Sequence, residues 1–395
     1  MGSIWGAGSG AVSTFFVISG YAITVKSLSL LRQRNYEDLY NGLCSSLFRR
    51  GFRLFLPVVL LAIPTFFVVC MVDMEDGFLM PFEVKSTWTG QMSHFINSTD
   101  HHINPFSYRS DMVDNRYAYV PTSWTIPMEY YGSIVCYILT MVVARVELYR
   151  IRNLIVGGMC LYALHQGSWW TSNFLFGMWM ADHILEQKTR NNDGHKGSKG
   201  SNKFFTLMYA LLFVFGIYLA GMPPEILAFE FPSQPKIGYM WLYKLIPPDY
   251  LFRIPEPARW WWYWSGNLTF LGISKIPQLQ SIFNTKFCQW LGKISFALYL
   301  VHAMIISILS RPLQGFVKTM TEHKGIVCLF EFTVMTPIVV VLAGVVERYI
   351  DQPSVRFAKW LEQQAFRPQS GNPPIELSQY LLAEQDTGRT GYTND

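Results

Sequence analysis

Charge is what this sequence is short of. Asp, Glu, Lys and Arg make up 15% of its 395 residues, against about a quarter in soluble globular domains. The net charge of +5 is small, and the cations fall in short stretches between apolar runs. That placement excludes a nucleic-acid-binding surface and instead orients segments in a bilayer. Cysteine is scattered: Cys44, Cys70, Cys136, Cys160, Cys288 and Cys328 form no C-x-x-C. This argues against a zinc site or a disulfide framework and predicts packed thiols. No G-x-x-x-x-G-K-[ST] loop occurs, nor a strand-linked G-x-G-x-x-G, nor a G-x-S-x-G elbow, so nucleotide-cradling and serine-hydrolase readings find no motif. The N-terminus lacks the basic region of a signal peptide. Gly6 stands where myristoylation wants Ser or Thr. Internal repeats and paired broken helices are also missing, which speaks against an inverted-repeat transporter.

What is plentiful is apolar and aromatic. Half the residues are hydrophobic, with 13 Trp and 21 Tyr, the rings expected at membrane interfaces. A spanning helix needs roughly 17–25 mainly apolar residues. Candidate spans fall near 10–25, 54–72, 123–144, 153–165, 169–185, 203–221, 260–274, 288–310 and 325–347. The fold expected is all-α, a polytopic transmembrane bundle of about nine spans in one domain, residues 1–351. The basic loops 26–53, 145–152 and 186–203 then share one face, the cytoplasmic one. Loops 73–122 and 222–259 lie on the lumenal face, and the first carries Asp73, Glu75, Asp76, Glu83 and an Asn97-Ser98-Thr99 sequon. A second sequon at Asn267 lies inside a span and should be silent. Residues 352–395 read as a largely disordered cytoplasmic tail, with a short helix around 375–385 as an option. Nine spans leave "MGSIWGAGSG" facing the lumen, as if an earlier helix were missing.

Four stretches could carry chemistry. In "STFFVISGYAIT", Ser19 shares a helical face with Phe15, Phe16 and Ile23; it is either a packing notch or part of a polar site. In "FRRGFRLFLP", Arg49, Arg50 and Arg53 either anchor a span or grip a polyphosphate, for which the planar guanidinium fork is suited. In "PTSWTIPMEYYGSIVCYILT", Glu129 enters an apolar span, with Ser133, Cys136, Tyr137 and Thr140 on about its face. An ionisable group at that depth is either functional or wetted at the interface. In "LGKISFALYLVHAMII", Ser295, Tyr299 and His302 are spaced i, i+4, i+7, a single stripe that lines an interior surface. His94, His101 and His102 with Asp100 lack metal-ligand spacing, so no metal is expected. Asp182-His183 reads as an interfacial pair.

Taken in order, "FFVISGY", "RRGFRLFLP", "SWTIPMEYYGS", "KISFALYLVH" and the closing "VERYIDQPSVRFAKWLE" resemble the membrane-bound acyltransferase 3 family in its fungal form, across residues 10 to 360. The resemblance implies ten spans in an intact member. It also implies transfer of an acyl group, often acetyl, from cytoplasmic acyl-CoA to a hydroxyl of a carbohydrate or small acceptor. No permanently bound cofactor is implied. On this reading Arg49, Arg50 and Arg53 hold the CoA phosphates, and Ser19, Glu129, Tyr299 and His302 line the central site. The family's first helix bears a basic residue and, about three turns on, a catalytic histidine; here that helix would precede residue 10. The alternative function is a catalytically dead, truncated relative with a binding or structural role.

Overall fold

The computed structural model describes residues 2–71, 84–105, 117–192, 203–222, 239–248, 250, 256–321 and 323–366. Among them the chain is helical throughout, with no strand. The long helices are α1 (Gly2–Arg32), α2 (Tyr36–Met71), α3 (Trp88–Ile103), α4 (Thr125–Val142), α5 (Tyr149–His165), α6 (Trp169–Asn192) and α7 (Lys203–Ala220). After the short α8 (Met240–Lys244) come α9 (Arg259–Lys275), α10 (Pro277–Phe283), α11 (Lys286–Lys318) and α12 (Lys324–Val346). A π-helical turn, Glu347–Asp351, leads into α13 (Gln352–Ala365). Every expected span coincides with a helix. Five stretches are long and apolar enough to cross a membrane on length and composition, in α1, α2, α7, α11 and from α12 onward.

Helix starts follow local chemistry. Asn35 accepts from the Asp38 backbone N–H at the head of α2, Thr87 from Gly90 at α3 and Thr285 from Cys288 at α11. Each satisfies one of the backbone donors a helix N-terminus leaves open. Pro57 and Pro64 lie inside α2, a substitution pattern that neighbouring helices in a membrane tolerate.

Four expectations are corrected. The loop at 26–53 shrinks to a turn at 33–35, closed by Arg34 in the left-handed region at φ 55°. Leu, Lys and Arg are good helix formers, so α1 and α2 run on beyond the apolar window. The stretch read as loop 73–122 contains α3, which packs on α2 through Phe66–Trp88, Phe66–Phe95 and Phe55–His102 ring contacts. Within the stretch read as a tail, residues 352–365 form α13, whereas 375–385 lie outside the described residues. All six cysteines are free thiols, but Cys70 and Cys328 are exposed, not packed.

Two apolar cores organise the bundle. One joins α1, the first turns of α2, and α4, α5, α6 and α9, with Phe16, Leu43, Met128, Phe174 and Tyr263 at its heart. The other joins the far half of α2, residues 117–120, the start of α4, and α11 and α12, through Leu54, Phe66, Tyr119, Ile126, Leu300 and Ala343. In the first core α1 approaches α6 so closely that a Cβ on Gly20 would lie 2.1 Å from the Phe174 carbonyl oxygen. The Phe174 ring in turn fills the space a Cβ on Gly132 of α4 would need.

Candidate active site

Between the two cores lies a buried ion pair. Arg50 projects from α2 and donates from Nη2 to Glu129 Oε1 at 2.8 Å and from Nε to Ser133 Oγ at 2.8 Å. Ser133 stands one turn beyond Glu129 on α4 and donates back to the Glu129 carbonyl at 2.5 Å. The Arg50 and Glu129 side chains are 9% and 7% exposed. Two charges at that depth are tolerated only when paired and hydrogen-bonded. Here the fork of Arg50 meets the carboxylate with one arm and the serine with the other.

The second element is the junction of α11 with the start of α4. Tyr299 donates to the Thr122 carbonyl, and its hydroxyl oxygen lies 2.7 Å from Thr125 Oγ1. Because the phenol has one proton, the Thr125 hydroxyl is the donor in that second contact. Thr122 Oγ1 donates to the Leu300 carbonyl at 3.0 Å, so α11 is clasped to the 121–125 segment from both sides. One turn beyond Tyr299, His302 places Nδ1 2.8 Å from the Tyr299 carbonyl oxygen. A carbonyl only accepts, so Nδ1 carries the proton and Nε2 keeps its lone pair, the form of imidazole that takes a proton. Tyr299 and His302 have ring centroids 5.9 Å apart. Glu129 lies within electrostatic range of Tyr299, so the ion pair and the Tyr–His pair belong to one neighbourhood.

The expected site residues separate on this geometry. Arg50 and Glu129 meet between α2 and α4, and Tyr299 of α11 lies within electrostatic range of Glu129, with His302 one turn farther along α11. Arg49 turns elsewhere, pairing with Glu362 of α13 at 3.1 Å, whereas Arg53 is exposed on α2 within electrostatic range of Glu129 and Asp351. Ser19 is buried on α1; among the described residues no hydrogen bond joins it to the four. Ser295 leaves the expected stripe, being exposed and bonded to the Gly292 carbonyl of its own helix. Missed from sequence were Thr122 and Thr125. Their signal was present, since Pro121-Thr122-Ser123-Trp124-Thr125 puts hydroxyls where an apolar span begins.

At the other end of the first core, Asp182 is buried and accepts from Arg32 at 2.7 Å and from Arg152 at 2.8 Å, while Glu186 takes the other arm of Arg32 at 2.8 Å. This cluster ties α1, α5 and α6 together. The α3 histidines diverge. His94 meets the Tyr119 hydroxyl at 3.0 Å, His102 stacks on Tyr117, and His101 is exposed. No group of three metal-ligating side chains occurs among the described residues. Asn97 is exposed on α3, and Asn267 is buried in α9.

Comparison with known proteins fits this architecture. A family model described as an acyltransferase domain matches residues 2–347. An O-acetyltransferase of Phomopsis amygdali, PaAT-1, is 27% identical over 392 residues, an alignment covering 91% of this chain and 76% of that protein. An acyltransferase of Cochliobolus lunatus, clz18, is 21% identical over 383 residues, covering 87% and 79%. No solved structure matches. The chain belongs to the acyltransferase 3 family and is an integral, multi-pass membrane acyltransferase.

Proposed function

We propose that this acyltransferase moves an acetyl group from acetyl-CoA to a hydroxyl of a carbohydrate or other small acceptor, with His302 as the general base. The observation that carries the reading is the placement of His302 on α11, where Nδ1 lies 2.8 Å from the Tyr299 carbonyl oxygen, which leaves Nε2 to take a proton. An alcohol is a weak nucleophile at neutral pH and needs such a base within hydrogen-bond reach. The name of the Phomopsis relative, an O-acetyltransferase, supports oxygen as the accepting atom and acetyl as the group.

In this reading the acceptor O–H gives its proton to His302 Nε2 as the oxygen bonds to the thioester carbon. The tetrahedral oxyanion then collapses, the C–S bond breaks, and the leaving CoA thiolate takes the proton from the imidazolium. Tyr299 is a positioning residue, because its own proton is held by Thr122. Glu129, fixed by Arg50, and Ser19 orient the acceptor hydroxyl. Arg49 and Arg53, at the edge of the apolar half of α2, take the donor's phosphates; Arg49 must leave Glu362 to do so.

Membranes containing the chain, given labelled acetyl-CoA and a panel of sugars and small alcohols, should yield labelled ester. His302→Gln should lower kcat by about 10²–10⁴-fold with little change in KM. Arg53→Ala should raise KM for acetyl-CoA and leave kcat in place. Unchanged turnover in His302→Gln removes the base assignment, and label appearing on amines instead of hydroxyls removes the acceptor class.

A further inference from the structure

The last helix distributes its charge unevenly. α13, Gln352–Ala365, carries one acid and two cations. The acid, Glu362, turns inward to Arg49 at 3.1 Å, whereas Arg356 and Lys359 are both exposed. Its inward face is set by Ser354 and Ala358, which are buried, and by half-buried Val355 and Leu361. On the outward side the Trp360 ring stands beside the cations, 53% exposed. An exposed face of cations and a tryptophan, with no carboxylate on it, is the composition of a helix seated among lipid headgroups.

The helix also sits at the right height. It contacts α2 through Phe357–Phe52, Glu362–Arg49 and Phe366–Phe48, immediately before the long apolar run that starts at Leu54. From Phe357 to Glu362 α13 advances five residues, about 7.5 Å, while its partners on α2, Phe52 and Arg49, are three residues apart, about 4.5 Å. Two helices running side by side would advance equally, so α13 crosses α2 obliquely. Because α2 spans the bilayer, its partner lies nearer the membrane plane. The π-helical turn 347–351 joins α12 to α13, and there Arg348 covers the exposed Tyr349 ring.

We propose that the outward face of α13 docks on an anionic lipid surface, the leaflet on the side of the α1–α2 and α4–α5 turns, through Arg356 and Lys359 with Trp360 entering the headgroup layer. The occupant follows from charge complementarity and from continuity with the lipid-facing surface of α2. The proposal is independent of the chemistry assigned to His302.

The purified full chain, placed in nanodiscs of phosphatidylcholine alone or of equal parts phosphatidylcholine and phosphatidylserine, tests it by amide hydrogen exchange over residues 352–366. Each cation near such a surface strengthens attachment about fivefold, so Arg356 and Lys359 together predict protection about 30-fold greater in the anionic discs. The difference should collapse in 1 M salt, where the screening length is about 3 Å, and in Arg356→Gln/Lys359→Gln. Both side chains are exposed, so this variant should fold and keep exchange elsewhere unchanged. Equal protection in the two lipids overturns the proposal, as does a lipid dependence that survives the double substitution. Protection that is high in both discs and insensitive to salt would assign α13 to packing on α2 alone, which also overturns it.

Discussion

Removing one member of the Arg50–Glu129 pair should cost far more than removing both. The side chains meet at 2.8 Å, almost wholly out of solvent, and Arg50 also serves Ser133. Arg50→Met strands a carboxylate between the two cores, and Glu129→Leu strands a guanidinium. Each single change should destabilise by about 3–5 kcal/mol, mostly the cost of an uncompensated buried charge. In Arg50→Met/Glu129→Leu no charge is left, and replacement of a buried pair by apolar groups of similar size is often neutral. The double variant should therefore lie within about 1 kcal/mol of the parent, giving a coupling of several kcal/mol where distant sites add to within about 0.5 kcal/mol. The assay is reversible unfolding of purified protein by SDS in mixed micelles, followed by far-ultraviolet circular dichroism. Additive losses, with the double variant as unstable as the sum of the singles, would refute the pairing. The double variant should still be catalytically impaired, since the acceptor-orienting carboxylate is gone, so stability and activity part company in one molecule.

Other expectations follow from particular contacts. Gly20→Ala would set a methyl 2.1 Å from the Phe174 carbonyl oxygen, and since the obstacle is backbone, α1 and α6 must separate; a loss of about 1–3 kcal/mol is expected, and wild-type thermal stability would mean that the helices are not in such close contact. Off the spans, burial pushes the Tyr117 hydroxyl from 10.0 up to about 12, against the Thr99 hydrogen bond that lowers it. The unfolded phenol ionises first, so this contribution is complete below pH 10 and disappears as pH rises through about 12. Tyr117→Phe should flatten that alkaline limb in a pH series of unfolding curves, and an unchanged limb would assign the loss to other groups.

Much of the fold could be read from the chain because a bilayer imposes a length and a polarity on every span. The helices at 153–165 and 169–185, parted only by Gln166, Gly167 and Ser168, fell where α5 and α6 begin and end within a few residues. α3 escaped because it is not apolar enough to read as a span, although Thr87 three residues ahead of Gly90 was a cap in plain view. α13 escaped because Pro353 and the glutamines read as tail composition, when proline in the first turn of a helix is a favourable start. Within the candidate site, Glu129 stood out as an ionisable group in an apolar span, and the helical period grouped Tyr299 with His302 but also with Ser295, which turns out exposed. What it could not fix was how one helix turns toward another. Arg49 and Arg50 are about 100° apart on α2, and which of them points inward depends on α4, eighty residues away in sequence. The two threonines that hold Tyr299 are likewise visible only once α11 is laid against residues 121–125.

The placement of the reacting groups on the boundary between two separately packed interiors has a further consequence. A substitution deep in the Phe16–Phe174 interior reaches the Arg50–Glu129 pair through α2 and α4, the two helices that both cores share. Each half is thus free to vary its own side chains, and so to reshape what it binds, while the shared boundary keeps its alignment. A lineage built this way can change the molecule it modifies without rebuilding the step that modifies it.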